Sequence, residues 1–160
     1  MSGVVDRDLG YADLLDFLRG VDDAAPGIYV GVRSGQGAEQ VEGGDLTLAG
    51  LAAVHEFGSP AQGIPERSFL RSTVDAGALD YSGELVDALS RGLDGKGDLR
   101  AAAAKLGARM AGDVQQRIAD RIAPDLKPAT VAAKVAGRDV PLVDTGRLRQ
   151  AIDSEVRFEK

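Results

Sequence analysis

The sequence contains no cysteine and no tryptophan. Without cysteine there is no disulfide scaffold, thiolate metal site, cysteine nucleophile or Cys-x-x-Cys redox pair. Histidine occurs once, at position 55. That excludes the two-histidine zinc motifs and leaves one imidazole for any Ser-His-Asp arrangement. Aromatic residues make up only 4% of the chain, so its core must be built mainly from Leu, Val, Ile and Ala. No apolar run approaches the ~20 residues of a membrane span, and no membrane partner is expected. The first residues, MSGVVDRDLGYADLL, carry acids where a secretory signal carries Lys or Arg. The protein is therefore expected to be made and kept in a cytoplasm.

Basic charge is also scarce, and it is unevenly placed. The formal net charge is −6. Residues 1–98 hold 7 basic and 17 acidic side chains, whereas residues 99–160 hold 12 basic and 8 acidic. An acidic body argues against general nucleic-acid binding, which needs a basic footprint. The asymmetry has two readings: one face of a protomer attracts the opposite face of a neighbour, or a basic helix lies near the end of the chain.

The 160 residues are one domain's worth of chain, with residues 1–8 expected as a flexible lead. Leu14, Leu15, Phe17 and Leu18 fall mostly along one helical stripe within residues 9–18, with Asp6 or Asp8 as cap. After Pro26-Gly27, the stretch Ile28–Val32 reads as a strand. Residues 34–37 (SGQG) read as a flexible turn, and residues 40–42 as a weak second strand pairing back. Thr47 is placed to cap a helix carrying Leu48, Leu51 and Val54 and stopping at Phe57-Gly58. Residues 58–65 form a loop. A helix follows from near Ser68 through Leu89, with Gly77 and Gly83 as weak points. Leu93–Gly97 is a linker, and Asp98 caps the strongest helix, expected over Leu99–Ile122. Its Leu106, Met110, Val114 and Ile118 form an i+4 row. Lys127-Pro128 opens a short helix through Val135. Thr145–Gln150 reads as a helical turn and Ile152–Phe158 as a final strand. The pattern is few strands around one dominant helix.

Enzyme-like strings are few. Leu142-Val143-Asp144-Thr145-Gly146 is similar to the Asp-Thr-Gly of retroviral-type aspartic proteases, where two aspartates share a proton across a dimer axis. Only 14 residues follow Gly146, too few for the flap and second half of that fold. Asp144 or Thr145 as the cap of the following turn explains the same residue types. His55-Glu56 starts like a His-Glu-x-x-His zinc motif, but Ser59 stands where the second His belongs. The glycines near 35–37 and 95–97 lack the spacing of a phosphate-binding loop. No catalytic constellation, cofactor site or metal site emerges.

Three segments in order carry a resemblance: LAAVHEFGSPAQGIPERSFLRSTVD (Leu51–Asp75), LKPATVAAKV (Leu126–Val135) and PLVDTGRLRQAIDSEV (Pro141–Val156). They resemble the tail-completion, or neck, proteins of long-tailed bacteriophages, the virion morphogenesis family of Mu-like and lambdoid phages. The matching positions are His55, Glu56, Phe57, Gly58, Ile64, Pro65, Arg67, Phe69, Leu70, Leu142, Val143, Asp144, Thr145, Gly146 and Leu148, with Ser68 where proline is frequent. With the strand before them, the similarity spans most of residues 28–158.

The resemblance implies a small α+β fold, with a mostly antiparallel sheet packed on a long helix and additional short helices. It implies a non-enzymatic virion protein at the head–tail junction, assembled in the host bacterial cytoplasm. The expected partners are further copies of itself, forming a six-fold ring, together with adjacent head-completion or connector and tail-terminator proteins. Double-stranded DNA would pass through without being held tightly. Two alternatives stand beside this reading: a tail-terminator or head-closure ring, and, more distant, a retropepsin-like protease using Asp144. In mechanical terms, Pro65, Gly58 and Gly63 give the 58–65 loop a defined path, and Phe69 and Leu70 anchor the helix after it.

Overall fold

β-Branched and aromatic residues place the first strand, β1, at Pro26–Val32, and alternation places the last, β2, at Ile152–Phe158. The two pair with each other, antiparallel, in the register Ile28↔Val156, Val30↔Ser154 and Val32↔Ile152. Because side chains alternate across a strand, these pairs, apolar except for Ser154, share one face. Tyr29 stands on the other face, under the Arg157 guanidinium at 4.8 Å from its ring centre. The computed structural model describes residues 26–41, 45–94, 96–134, 139–142 and 145–158. The amphipathic stretch at 9–18 lies outside them, and the helix expected through Val135 ends at Ala133, where Lys134 turns extended at ψ 140°.

Between the strands run α1 (Ser34–Gly37), α2 (Leu48–Phe57), α3 (Arg71–Leu93), α4 (Leu99–Ala119), α5 (Pro128–Ala133) and α6 (Arg147–Gln150). The fold is α+β, a two-stranded antiparallel sheet packed against helices. The expected caps are in place. Thr47 Oγ1 accepts from Gly50 N, and the Asp98 carboxylate accepts from the N–H groups of Arg100 and Ala101. Pro128 occupies the first turn of α5.

Three expectations are corrected. Residues 34–37 are one helical turn, not a flexible loop. Residues 40–42 do not pair with β1; Gln40 makes only an isolated bridge to Thr47. The helix expected from near Ser68 through Leu89 is present as α3 and runs unbroken for 23 residues, past Gly77 and Gly83. Gly77 is covered by the Tyr81 ring, whose hydroxyl donates to Asp113 Oδ2 at 2.8 Å and ties α3 to α4. Helix α4 ends at Ala119 instead of Ile122, because Asp120 turns extended at ψ 157°. Ile122 still reaches the core from the chain beyond.

Helix α4 lies across the apolar face of the sheet. A Cβ on Gly107 would sit 3.1 Å from Ser154 Oγ and 3.2 Å from Ile28 Cγ2, so glycine sets the approach distance. Gln115 Nε2 donates to the Ile152 carbonyl at 2.9 Å. Beyond the Val32–Ile152 end of the sheet, Val114 and Ile118 meet Phe69, Leu48, Leu142 and Leu148 in the main core.

Candidate functional site

The segment from His55 to Arg71 is organised around one buried carboxylate. Glu56 closes the last turn of α2 and is 5% exposed. Its Oε1 accepts from the Ser68 hydroxyl at 2.7 Å and from Arg71 N at 3.0 Å. Its Oε2 accepts from the N–H groups of Phe69 and Leu70, each at 2.9 Å. The first amides of a helix have no partner within it, and their positive end favours an anion. Glu56 supplies that anion to α3 from another helix. Burial pushes its carboxyl up. The bonds from Leu70 N–H, the Ser68 hydroxyl, Arg71 N–H and Phe69 N–H together override that effect and leave it below the ordinary carboxylate value.

The chain between Glu56 and these donors must reverse direction within a few residues. Gly58 has φ 73°, and a Cβ there would lie 2.7 Å from Glu66 N, so glycine is required on both counts. A bridge between Ser59 and Ile64 closes the loop around a 3₁₀ turn at Pro60–Gln62, and Gly63 is left-handed. The loop therefore has a fixed shape, as its glycines and Pro65 imply. Arg67, also 5% exposed, returns the chain to α2 through its N–H, which donates to the His55 carbonyl at 2.8 Å. Its guanidinium donates from Nε and Nη2 to the Pro124 carbonyl at 3.1 and 2.8 Å. Phe69 then enters the core at 2% exposure, and Leu70 packs against that core.

One side of this arrangement is a groove of about 950 Å³. His55, Ile64, Pro65 and Arg67 line it from the first resembling segment; Leu126, Lys127, Thr130 and Lys134 from the second; Leu142, Thr145, Gly146 and Leu148 from the third. The remaining residues singled out in the sequence lie elsewhere. Glu56 and Phe69 are buried behind the groove, Gly58 shapes the loop, and Phe57 is exposed. Val143 and Asp144 lie outside the described residues. Of the two caps expected for the turn at 145–150, Thr145 alone lies among the described residues. The cap position of α6 is Gly146, left-handed at φ 80°, and Thr145 Oγ1 stands 3.5 Å from Arg147 N, at the limit of a hydrogen bond.

The groove is apolar with a cationic rim. Arg67, Lys127, Lys134 and Arg147 line it with one carboxylate, Asp125, which pairs with Arg121 at 2.9 Å; Arg67 is buried, and Arg147 pairs with Glu39 at 2.5 Å. Lys134 Nζ donates to the Val140 carbonyl at 2.5 Å. His55 sits against this rim, and its buried Nδ1 has no hydrogen-bond partner among the described residues. Burial, then the charges of Arg67 and Lys134, hold its pKa below the ordinary 6.5. An unfolded His55 takes up a proton as pH falls below 6.5, while the folded one resists. Stability from this residue is therefore present above 6.5 and is lost as pH falls toward the folded value. Urea midpoints measured from pH 7 to pH 5 should drop more for the wild type than for His55→Gln. Parallel curves would mean that the imidazole is not held neutral.

The Pro124 clamp, Lys134 and the Glu56 bonds carry no short-range signature in the sequence. Among the described residues no group of three or more His, Asp or Glu side chains is placed to hold a metal ion. Nor is any described helix long and apolar enough to cross a membrane.

Fold and groove together define an α+β protein whose loop-and-turn segments frame one apolar, cation-rimmed cleft. No family model, curated protein or solved structure matches the chain.

Proposed function

We propose that the protein is a structural component of the head–tail junction of a long-tailed phage, a neck or tail-completion ring through which double-stranded DNA passes without being held. One observation carries the reading. The three sequence segments that resemble that family, separated by up to 65 residues of chain, converge on a single groove. Residues that keep a family pattern for folding alone need not share a surface. These residues build one, and the buried Glu56 and Phe69 behind it hold its shape.

A second surface supports an assembly role. Leu79, Val86 and Leu93 recur every seven residues on α3 and stand exposed, Leu79 at 88%. Apolar side chains aligned on an open helix face mark a protein contact. Asp75, Asp80 and Asp87 lie on the same helix, whereas the groove is cationic. Unlike surfaces of this kind suit head-to-tail contacts, which close into rings. A tail-terminator or head-closure ring uses the same physics at a neighbouring level of the particle.

The 58–65 loop is the projecting wall of the groove, and Ile64 is its apolar contact. Ile64→Asp should leave the protein folded and lose about 2 kcal/mol or more at the contact, as an interface anchor does. In complementation of a phage lacking the wild-type chain, the titre should fall by at least an order of magnitude. A normal titre with soluble, folded Ile64→Asp protein would show that the loop is only a connection.

A further inference from the structure

We infer that the groove receives residues 9–18 of a neighbouring copy of this chain. The inference rests on the ring reading for the claim that the donor is a neighbour. The match is one of chemistry. The groove is apolar along Leu48, Leu51, Leu126 and Leu148, with cations outnumbering carboxylates four to one among its lining residues. The stretch LGYADLLDFL offers Leu14, Phe17 and Leu18 at the i, i+3, i+4 spacing by which an amphipathic segment anchors in a groove. Its flanks are acidic: residues 6–23 hold six aspartates against two arginines.

The other apolar surface does not suit this segment. Leu79, Val86 and Leu93 share α3 with Asp75, Asp80, Glu84 and Asp87, and like charges disfavour contact. Only the groove complements both the apolar and the acidic character of residues 9–18.

The ring reading, not chain length, makes the neighbour the donor. The groove adjoins the Val32–Ile152 end of the sheet, because Leu148 leads through Ala151 into β2. Pro26 is at the opposite end of β1, about 20 Å away at strand rise. The eight steps from Leu18 to Pro26 span at most about 28 Å. Running back along the strand would take about seven tenths of that reach, so length alone leaves the donor's own groove within range. Exchange with a neighbour gives each copy one donor and one acceptor, the pattern of a ring.

The absence of cysteine makes the test clean. Chains carrying Leu15→Cys are mixed, under mild oxidation, with differently tagged chains carrying Thr130→Cys, an exposed position on the groove wall. The expected result is a disulfide-linked heterodimer at about tenfold the yield obtained with Leu79→Cys as acceptor. Asp13→Lys/Asp16→Lys in the donor should lower that yield about tenfold, and excess synthetic peptide of residues 6–23 should compete it away. A yield equal to that of the Leu79→Cys control would overturn the inference. So would a Leu15→Cys/Thr130→Cys double variant that closes only within one chain. Neither failure touches the position of the protein in the particle, which is read separately. A chain located away from the junction that still cross-links would remove the ring reading and leave the contact.

Discussion

Glu56→Ala is expected to cost about 3–5 kcal/mol, because it orphans buried donors that now meet a charge. The Ser68 hydroxyl and the N–H groups of Phe69, Leu70 and Arg71 all lose their acceptor in one step. A domain of this kind has about 5–15 kcal/mol in total, so the variant should sit near the edge of folding. Thermal unfolding should move down by roughly 10 °C, at a few degrees per kcal/mol for a chain of this length. Glu56→Gln should fall between, since one amide oxygen still accepts while the amide nitrogen faces donors. The pH dependence has a definite sign. The folded carboxyl is held below its ordinary value of 4.5, so its contribution is complete above that value and disappears as pH falls through the lower, folded one. Urea denaturation at pH 7 and pH 3 reads both effects. Glu56→Gln should lose stability at pH 7 and approach the wild type at pH 3. A loss below about 1 kcal/mol for Glu56→Ala would mean that water replaces the carboxylate at no cost, as at an exposed cap.

Phe69→Ala is expected to be as severe by a different route. Its ring is among the largest fully buried side chains and joins a core that includes Val114, Ile118 and Leu148. Removing such a ring costs about 3–5 kcal/mol, through lost transfer energy and the cavity left behind. Phe69→Leu should cost far less, because it retains most of the volume. Chemical denaturation with an unchanged slope would assign the loss to the folded core. Phe69 also donates its backbone N–H to Glu56, so the two sites share a partner and their losses should not add. A Phe69→Ala effect below 1 kcal/mol would place the ring outside the core.

Local signals in this sequence were legible because their partners lie within one turn. Thr47 and Asp98 bond to amides two or three residues on, and Gly58 ends its helix by its own conformation. The alternation in Ile152–Phe158 and the β-branched run at Ile28–Val32 gave both strands. Their partnership was not legible, since the two lie at opposite ends of the described chain and a local pairing with residues 40–42 looked equally good. The same distance hid the centre of the site. A glutamate in the last turn of a helix reads as a solvated side chain until Ser68–Arg71 arrive against it. Arg67 and the Pro124 carbonyl are 57 residues apart. Composition misled at Ser34–Gly37, where two glycines in four residues argue for a turn and the chain forms one turn of helix. It also misled at Gly77, where the Tyr81 ring over the glycine offsets the weak propensity.

The account stands or falls on where the protein resides. The proposed place at the head–tail junction is tested most directly by labelled copies located by electron microscopy in long-tailed phage particles assembled with this chain. The expected result is label at a single vertex between head and tail, with a copy number that fits one ring. Label in the capsid shell, at the tail tip, or only outside virions would contradict it.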